Sequence, residues 1–202
     1  MANVRGPYAK SARVRAAAIE AAAELFGTAG YRGATFKDVA EKLGMTAAGL
    51  TYYFPDKDAL LAAVLQERDR SALAEKTAIP PSPSRADIAD HVMRFLAENI
   101  EHPGLAELHC VLSAEATSAE HPAHEHFRHR YRVARALLTD AFEGVGARGG
   151  IRPPIPPRVL ATLLLSVLDG VQLQWLLDPE EVDMRETVGA FIADLLGPPA
   201  PA

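Results

Sequence analysis

The chain has 202 residues, 49% of them hydrophobic, and a single cysteine, Cys110, which excludes an internal disulfide and fits a reducing compartment. Its net charge of -5 argues against indiscriminate nucleic-acid binding, but the charge is uneven along the chain. Residues 1–70 have a net charge of +2 (10 Lys and Arg, 8 Asp and Glu), and residues 71–202 have a net charge of -7 (11 Lys and Arg, 18 Asp and Glu). Since no apolar run opens the chain as a secretory signal does, we expect a cytoplasmic protein in which only the first part suits DNA.

The first predicted helix covers residues 14–26. Its apolar positions recur with a helical period: Ala18, Ile19, Ala22, Leu25 and Phe26. The first ten or so residues are polar and include Gly6-Pro7, so a loose basic arm beside the DNA is one reading. An ordinary flexible terminus explains the same residues equally well.

The stretch from Thr35 to Lys57 has the pattern of a helix-turn-helix. Thr35 is placed to cap the first of its helices, and Gly44 is placed to end that helix in a left-handed conformation. Thr46 can cap a second helix over residues 47–53, whose small, polar front can approach base edges. The apolar stripe of the first helix follows i, i+3, i+4, i+7 spacing: Phe36, Val39, Ala40 and Leu43.

This part of the chain resembles the DNA-binding signature of TetR-family (tetracycline-repressor-type) regulators, from about residue 14 to residue 65. The residues that carry the resemblance are Gly30-Tyr31, Val39-Ala40, Leu43-Gly44-Met45-Thr46, Gly49-Leu50, Tyr53-Phe54 and Lys57-Asp58-Ala59-Leu60. The resemblance implies an all-α fold of about nine helices, a C-terminal domain that responds to a ligand, and a homodimer joined by its last two helices. The chain departs from the family at Thr51, where an aromatic residue is common, and near Ala47, where a basic residue is frequent, so the family's usual set of DNA contacts cannot be transferred whole.

We predict eight DNA-binding residues in this stretch: Thr35, Thr46, Ala47, Ala48, Thr51, Tyr52, Tyr53 and Lys57. For Lys57 there is an independent physical reason. It lies in the first turn of a helix that follows Phe54-Pro55-Asp56, where the helix dipole disfavours a cation unless an anion such as a DNA phosphate binds there. The alternative is a solvated surface lysine.

The third helix of this head continues to about Thr77, which is longer than a DNA-binding head needs. Prolines stop it in the segment 79–83, because proline lacks a backbone donor and clashes with the preceding turn. We therefore divide the chain into a helix-turn-helix domain (1–56), a linking helix with a proline-rich break (57–83), and a ligand-binding and dimerisation domain (84–202).

Five further helices are predicted after this break. Ser84 and Asp87 resemble a capping box that opens the first of them, and His102-Pro103-Gly104 separates it from the second. The third opens at His121-Pro122 and ends before a Gly- and Pro-rich loop at 144–157. The last two cover residues 159–177 and 184–196.

The helix over 159–177 has membrane-spanning length, yet polar residues interrupt it, including a central Asp169 that is expensive in lipid. We expect a buried helix and no membrane partner. Because this helix is apolar nearly all round, it must bury more than one face. The predicted dimer interface lies on the last two helices: Leu160, Leu164, Leu168, Val188, Phe191, Ile192 and Leu195.

A mixture of aromatic and polar residues in the C-terminal domain favours a pocket for a small, mainly apolar effector over a uniformly apolar core. The predicted lining is Phe95, Leu108, His109, Leu112, Glu115, Phe127, Tyr131, Gln172 and Trp175. A carboxylate such as that of Glu115 on an apolar face is either paired with an arginine or marks a polar point of a pocket. Asp169 and Gln172 can likewise orient a ligand or fix the register of a dimer.

Metal binding and catalysis are poorly supported by the sequence. Four histidines crowd into residues 121–129, but only His126 and His129 have helical i, i+3 spacing in a strongly charged run, so we predict no metal and no cofactor. No nucleophile elbow or phosphate loop is present. We expect a ligand-responsive DNA-binding regulator, with a ligand-independent architectural protein or a helical enzyme as the alternatives.

Overall fold

The structure is a computed structural model that describes residues 7–74, 79–80, 82–147 and 155–196. Every regular element within these residues is a helix, which confirms the predicted all-α fold with about nine helices. They are α1 (Pro7–Gly33), α2 (Phe36–Lys42), α3 (Ala47–Thr51), α4 (Lys57–Ala74), α5 (Arg85–Glu101), α6 (Pro103–Glu115), α7 (His124–Gly146), α8 (Pro157–Leu177) and α9 (Met184–Leu196).

Short polar side chains begin three of these helices where the sequence predicted them. The hydroxyls of Thr35 and Ser84 each accept a backbone N–H of the third helical residue, and the aspartate at that position completes a capping box. Thr46 caps α3 by accepting the N–H of Gly49 at 3.1 Å. Gly44 ends α2 with φ 64°, the left-handed conformation that favours glycine.

Some boundaries differ from the prediction. Helix α1 already begins at Pro7, a residue suited to a first helical position, so only residues 1–6 of the expected arm remain, and they lie outside the described residues. Helix α7 begins at His124 because His121 first closes a turn, its Nδ1 accepting the N–H of Ala123 at 3.1 Å. The expected end of α4 near Thr77 and the closing Gly197-Pro198 also lie outside the described residues.

The chain divides into two compact units. The first comprises Met1–Glu75 with Val111–Glu125, and the second comprises Lys76–Cys110 with His126–Ala202. The linking helix α4 therefore counts with the first unit, and the last turns of α6 do so too. Aromatic and aliphatic side chains that are at most 2% exposed fill the core of the first unit, among them Phe26, Leu50, Phe54, Leu60 and Leu61.

The core of the second unit is formed by α5, α7, α8 and α9. Its fully buried side chains include Ile88, Leu96, Phe142, Leu164 and Val188. Among the described residues α8 is long and apolar enough to cross a membrane by length and composition, a test that the core helix of a soluble protein also passes. One face of α8 lies in the core of the second unit.

Candidate functional site

Helices α2 and α3 form the helix-turn-helix, and a few residues fix its corner. Gly44 turns the chain, and Met45 is half-buried below the turn. Leu50 is fully buried and anchors α3 to the first unit, whereas the opposite face of α3 is exposed. A short helix held on one side and exposed on the other can enter a DNA groove.

Six of the eight predicted DNA-binding residues are exposed and two are half-buried. The exposed ones are Thr35, Thr46, Ala47, Ala48, Thr51 and Tyr52; the half-buried ones are Tyr53 and Lys57. Tyr52 is 82% exposed, and its ring meets that of Tyr53 edge to face at 5.1 Å. The Thr51 hydroxyl donates to the Ala47 carbonyl at 2.9 Å, so towards a ligand it is an acceptor.

The ammonium of Lys57 does not stay at the N-terminus of α4. It reaches back and donates to the carbonyls of Tyr31 at 2.8 Å and Ala34 at 2.9 Å, and it lies 4.1 Å from the centre of the Tyr31 ring. A cation beside free carbonyls at the end of α1 is favourable, and Asp56 caps α4 by accepting the N–H of Ala59 at 2.7 Å. The electrostatic conflict from which a phosphate contact was inferred is therefore absent, and that contact stays a prediction.

Arg15 of α1 is not among the eight residues predicted to bind DNA, although its positive charge was expected beside the helix-turn-helix. Its guanidinium lies 4.4 Å from the centre of the Phe54 ring and donates to the Tyr53 carbonyl at 3.4 Å. Arg15 thereby holds the chain just after α3. Nothing in the sequence around residue 15 indicates a partner 38 residues away.

Two of the predicted ligand-binding residues, Leu112 and Glu115, belong to the first unit. Leu112 is fully buried. The Glu115 carboxylate accepts the backbone N–H of Tyr31 at 2.6 Å and that of Arg32 at 3.4 Å. Its partners are therefore backbone amides, which neither of the two alternatives weighed from the sequence had included.

A polar cluster in the second unit joins α6, α7 and α8. The Tyr131 hydroxyl donates to Asp169 Oδ2 at 2.8 Å, and His109 Nε2 lies 3.4 Å from Asp169 Oδ1. The His109 ring also packs against Phe127, with centroids 5.6 Å apart. Burial and then the Asp169 carboxylate raise the pKa of the Tyr131 hydroxyl well above its usual range, so this group stays a donor.

The other predicted ligand-binding residues of the second unit lie in its interior. Gln172 is 3% exposed, and its Nε2 donates to the Ala106 carbonyl at 3.2 Å and to Cys110 Sγ at 3.3 Å. Leu108 is buried, while Phe95 and Trp175 are partly buried against the core.

Five of the seven residues predicted for a dimer interface are core residues of a single chain: Leu160, Leu164, Leu168, Val188 and Ile192 are at most 8% exposed. They cannot also face a partner, because both sides of a packed core are already filled. Phe191 and Leu195 are half-buried. The exposed large side chains of α8 are instead Leu163, Leu173 and Leu177.

The histidine-rich run holds no cluster of potential metal ligands. Within the described residues no group of three or more His, Cys, Asp or Glu side chains is close enough to hold an ion. His121 is buried in the first unit, and His124 Nδ1 is 2.8 Å from the Ala116 carbonyl. His129 pairs with Arg132 at 3.0 Å.

Two family models match the chain in succession. That of the bacterial regulatory proteins of the tetR family matches residues 18–64, which contain α2 and α3. That of the C-terminal domain of BetI-type transcriptional repressors matches residues 84–197, more than half of the chain.

Individual relatives agree with these matches. The A-factor receptor protein of Streptomyces griseus is 24% identical over 180 residues, which are 88% of this chain and 60% of that protein, so the chain spans less than two thirds of that relative. The HTH-type transcriptional repressor AcnR of Corynebacterium diphtheriae is 28% identical over 156 residues, 75% of each protein. The crystal structure of a TetR-family regulator from Agrobacterium tumefaciens has the same fold, with a TM-score of 0.75 and 17% identity over 93% of this chain and 100% of that one. The chain therefore belongs to the TetR family of bacterial regulatory proteins and is a DNA-binding transcriptional regulator, not an enzyme.

Proposed function

We propose that the protein is a cytoplasmic repressor that binds a pseudo-palindromic operator as a homodimer and releases it when a small, mainly apolar effector binds. The observation that carries the sequence-specific part is the exposed face of α3. Small side chains at Ala47 and Ala48 leave its front open, and the exposed Tyr52 offers a large ring for contact with bases or sugars. Repression agrees with the BetI-type repressor model and with the name of AcnR.

A second copy of the chain is the proposed partner of α8. This face carries the exposed Leu163, Ser166, Leu173 and Leu177 and the half-buried Gly170, and their alternating spacing of three and four residues is that of a helix–helix seam. A Cβ atom added at Gly170 would meet nothing within 4 Å, so the surface there is open to a close neighbour. The half-buried Phe191 and Leu195 of α9 extend the same interface in this proposal.

The effector is proposed to bind in the second unit, with the polar cluster of His109, Tyr131 and Asp169 orienting it. Among the described residues no lysine or arginine forms an ion pair with Asp169, whose side chain is 43% exposed. A carboxylate beside aromatic rings suits a ligand that carries a donor or a positive charge on an apolar body. Phe95, Leu108, Phe127, Gln172 and Trp175 are the remaining candidates for the lining.

Mechanistically, the effector must bind more tightly to the conformation that is unfit for DNA. A dimer places its two α3 helices in successive major grooves about 34 Å apart, and a conformation with another spacing loses one half-site. The effector then lowers operator affinity by its differential affinity for the two conformations and by no more.

The test is selection of duplexes from a random pool by the native protein, followed by sedimentation of the complex. We expect a symmetric consensus of two half-sites bound by two chains. Duplexes bound without a consensus would instead indicate a ligand-independent architectural protein. Mass spectrometry of small molecules that co-purify with the protein, followed by their addition to the complex, tests the effector.

A further inference from the structure

The carboxylate of Glu115 meets the backbone at the break in α1. Gly30 has φ 72° and ψ 169°, which ends the regular helix, and the next two N–H groups donate to Glu115. A Cβ atom at residue 30 would come within 2.7 Å of Glu115 Oε1. This position thus requires glycine both for its left-handed backbone and for the space that the carboxylate occupies.

The α1 turn that Glu115 fixes also fixes the start of α4. The Tyr31 carbonyl accepts from the Lys57 ammonium at 2.8 Å, and the Tyr31 hydroxyl donates to the Asp58 carboxylate. Lys57 and Asp58 are the first two residues of α4. One residue, Tyr31, therefore uses its N–H towards Glu115 and both its carbonyl and its hydroxyl towards the first turn of α4.

The first turn of α4 sets the end of the recognition helix α3. Only five residues separate the last residue of α3, Thr51, from the first of α4, Lys57. Among them Phe54 is 2% exposed, so this connection is pinned in the core. A shift of the α1 turn is consequently passed to α3 through the contacts of Tyr31 with α4 and through this short, anchored connection.

His121 flanks the carboxylate without competing strongly for it. Its ring is 4% exposed and meets the Tyr31 ring at 5.1 Å. Because Nδ1 accepts the Ala123 N–H, the ring proton is on Nε2, which lies 3.7 Å from Glu115 Oε2 and has no hydrogen-bond partner among the described residues. The Glu115 carboxylate is therefore directed mainly at the α1 turn.

We propose that Glu115 is a positioning residue for DNA binding: it never contacts DNA, but it fixes the α1 turn and hence the placement of α3. The proposal rests on the proposed reading of DNA by α3. A protein whose α3 samples several positions binds its operator more weakly in proportion to the fraction of molecules in the competent one. Non-specific binding depends on overall charge and is affected much less.

The change of charge and the loss of positioning are expected to change DNA affinity in opposite directions. Replacing Glu115 by glutamine removes a negative charge, which by electrostatics alone strengthens binding to any DNA. Loss of positioning weakens binding to the operator only. Glu120→Gln is a matched control, because Glu120 is exposed, lies in the same unit and gives the same change of charge.

The experiment measures fluorescence anisotropy on a duplex selected by the native protein and on an unrelated duplex of equal length. We expect Glu115→Gln to bind the selected duplex about tenfold more weakly, since the amide is uncharged and keeps only one acceptor oxygen for the two N–H groups, and the unrelated duplex no more weakly than the native protein does. Glu115→Ala, which cannot accept any N–H, should lose more. Glu120→Gln should bind both duplexes at least as tightly as the native chain.

Circular dichroism and amide hydrogen exchange separate positioning from unfolding. At a temperature where Glu115→Gln is folded, the amides of Tyr31 and Arg32 should exchange faster while those of the buried α4 stay protected.

If the folded variant keeps the native ratio of selected to unrelated affinity, the proposal is overturned. If it melts below the assay temperature, Glu115→Asp, which keeps the charge but shortens the side chain, decides by the same ratio. The two proposals fail in different ways. If the native protein selects no duplex, the proposed function is overturned. If the native protein selects a duplex and the Glu115 variants keep that selectivity, only the positioning role of Glu115 is overturned.

Discussion

Replacing Lys57 by methionine tests whether this lysine fastens α4 to α1 or waits for a DNA phosphate. Methionine keeps most of the apolar stem and removes the ammonium. Two hydrogen bonds to carbonyls, at 2.8 and 2.9 Å, and the contact with the Tyr31 ring are lost. The carbonyls of Tyr31 and Ala34 must then find water.

The expected loss of stability follows from these contacts. A hydrogen bond to a charged group contributes about 1.5–3 kcal/mol, and because Lys57 is only half-buried we take about 2 kcal/mol for the pair. For a chain of this size each kcal/mol lowers the Tm by about 2–4 °C, so the Tm should fall by about 4–8 °C. If Lys57 only fastens α4 to α1, the slope of log affinity against log salt for DNA should stay unchanged, because no phosphate contact is then lost.

Lys37→Met is the matched control. The Lys37 side chain is 77% exposed and pairs with Glu41 at 3.1 Å on the surface of α2, a contact worth about 0.3–0.5 kcal/mol. Thermal melting by circular dichroism and a salt titration of DNA binding are run on both variants. An unchanged Tm in Lys57→Met together with a salt slope smaller by about one unit would refute the reasoning and assign Lys57 to a phosphate.

Three further outcomes are expected. Leu173→Glu, on the exposed seam of α8, should release folded monomers in sedimentation, whereas Leu164→Glu, in the core, should unfold the second unit. Burial lowers the pKa of His121, so the native chain should lose stability towards urea as pH falls below about 6.5, where the unfolded histidine binds a proton first, and His121→Phe should lose less. Asp169→Asn should weaken the response of Trp175 fluorescence to any co-purified effector with a positive charge, without altering the Tm by more than about 2 °C.

The sequence was most informative where a residue acts on its near neighbours. The caps at Thr35, Thr46 and Ser84 could be predicted because each side chain bonds an N–H three residues ahead. The left-handed Gly44 follows from the same local geometry. Family resemblance then supplied the arrangement of the helices, which no single pattern contains.

The roles of Lys57 and Glu115 could not be read in this way. Lys57 bonds carbonyls 23 and 26 residues back, and Glu115 bonds an N–H 84 residues back. A long, flexible side chain can leave the helix end where its sequence position puts it, so an argument from the local dipole does not reveal the carbonyls that the Lys57 ammonium contacts. Both residues were recognisable as unusual, since a lysine in a first turn and a carboxylate on an apolar face each need a partner. The identity of that partner is a tertiary property.

Helix α8 has two apolar stripes, and the sequence alone did not show which one faces the core and which one is exposed. The stripe Leu160, Leu164, Leu168 and the stripe Leu163, Leu173, Leu177 are both rich in leucine, and hydropathy does not distinguish them. Side-chain volume does. A core within one chain is filled by large residues at every turn, whereas the exposed stripe has Ser166 and Gly170 at its centre, where small side chains leave room for a second helix to approach. In a helix that is apolar nearly all round, the stripe with small residues at its middle is therefore the better candidate for the subunit interface, and the bulkier stripe for the core.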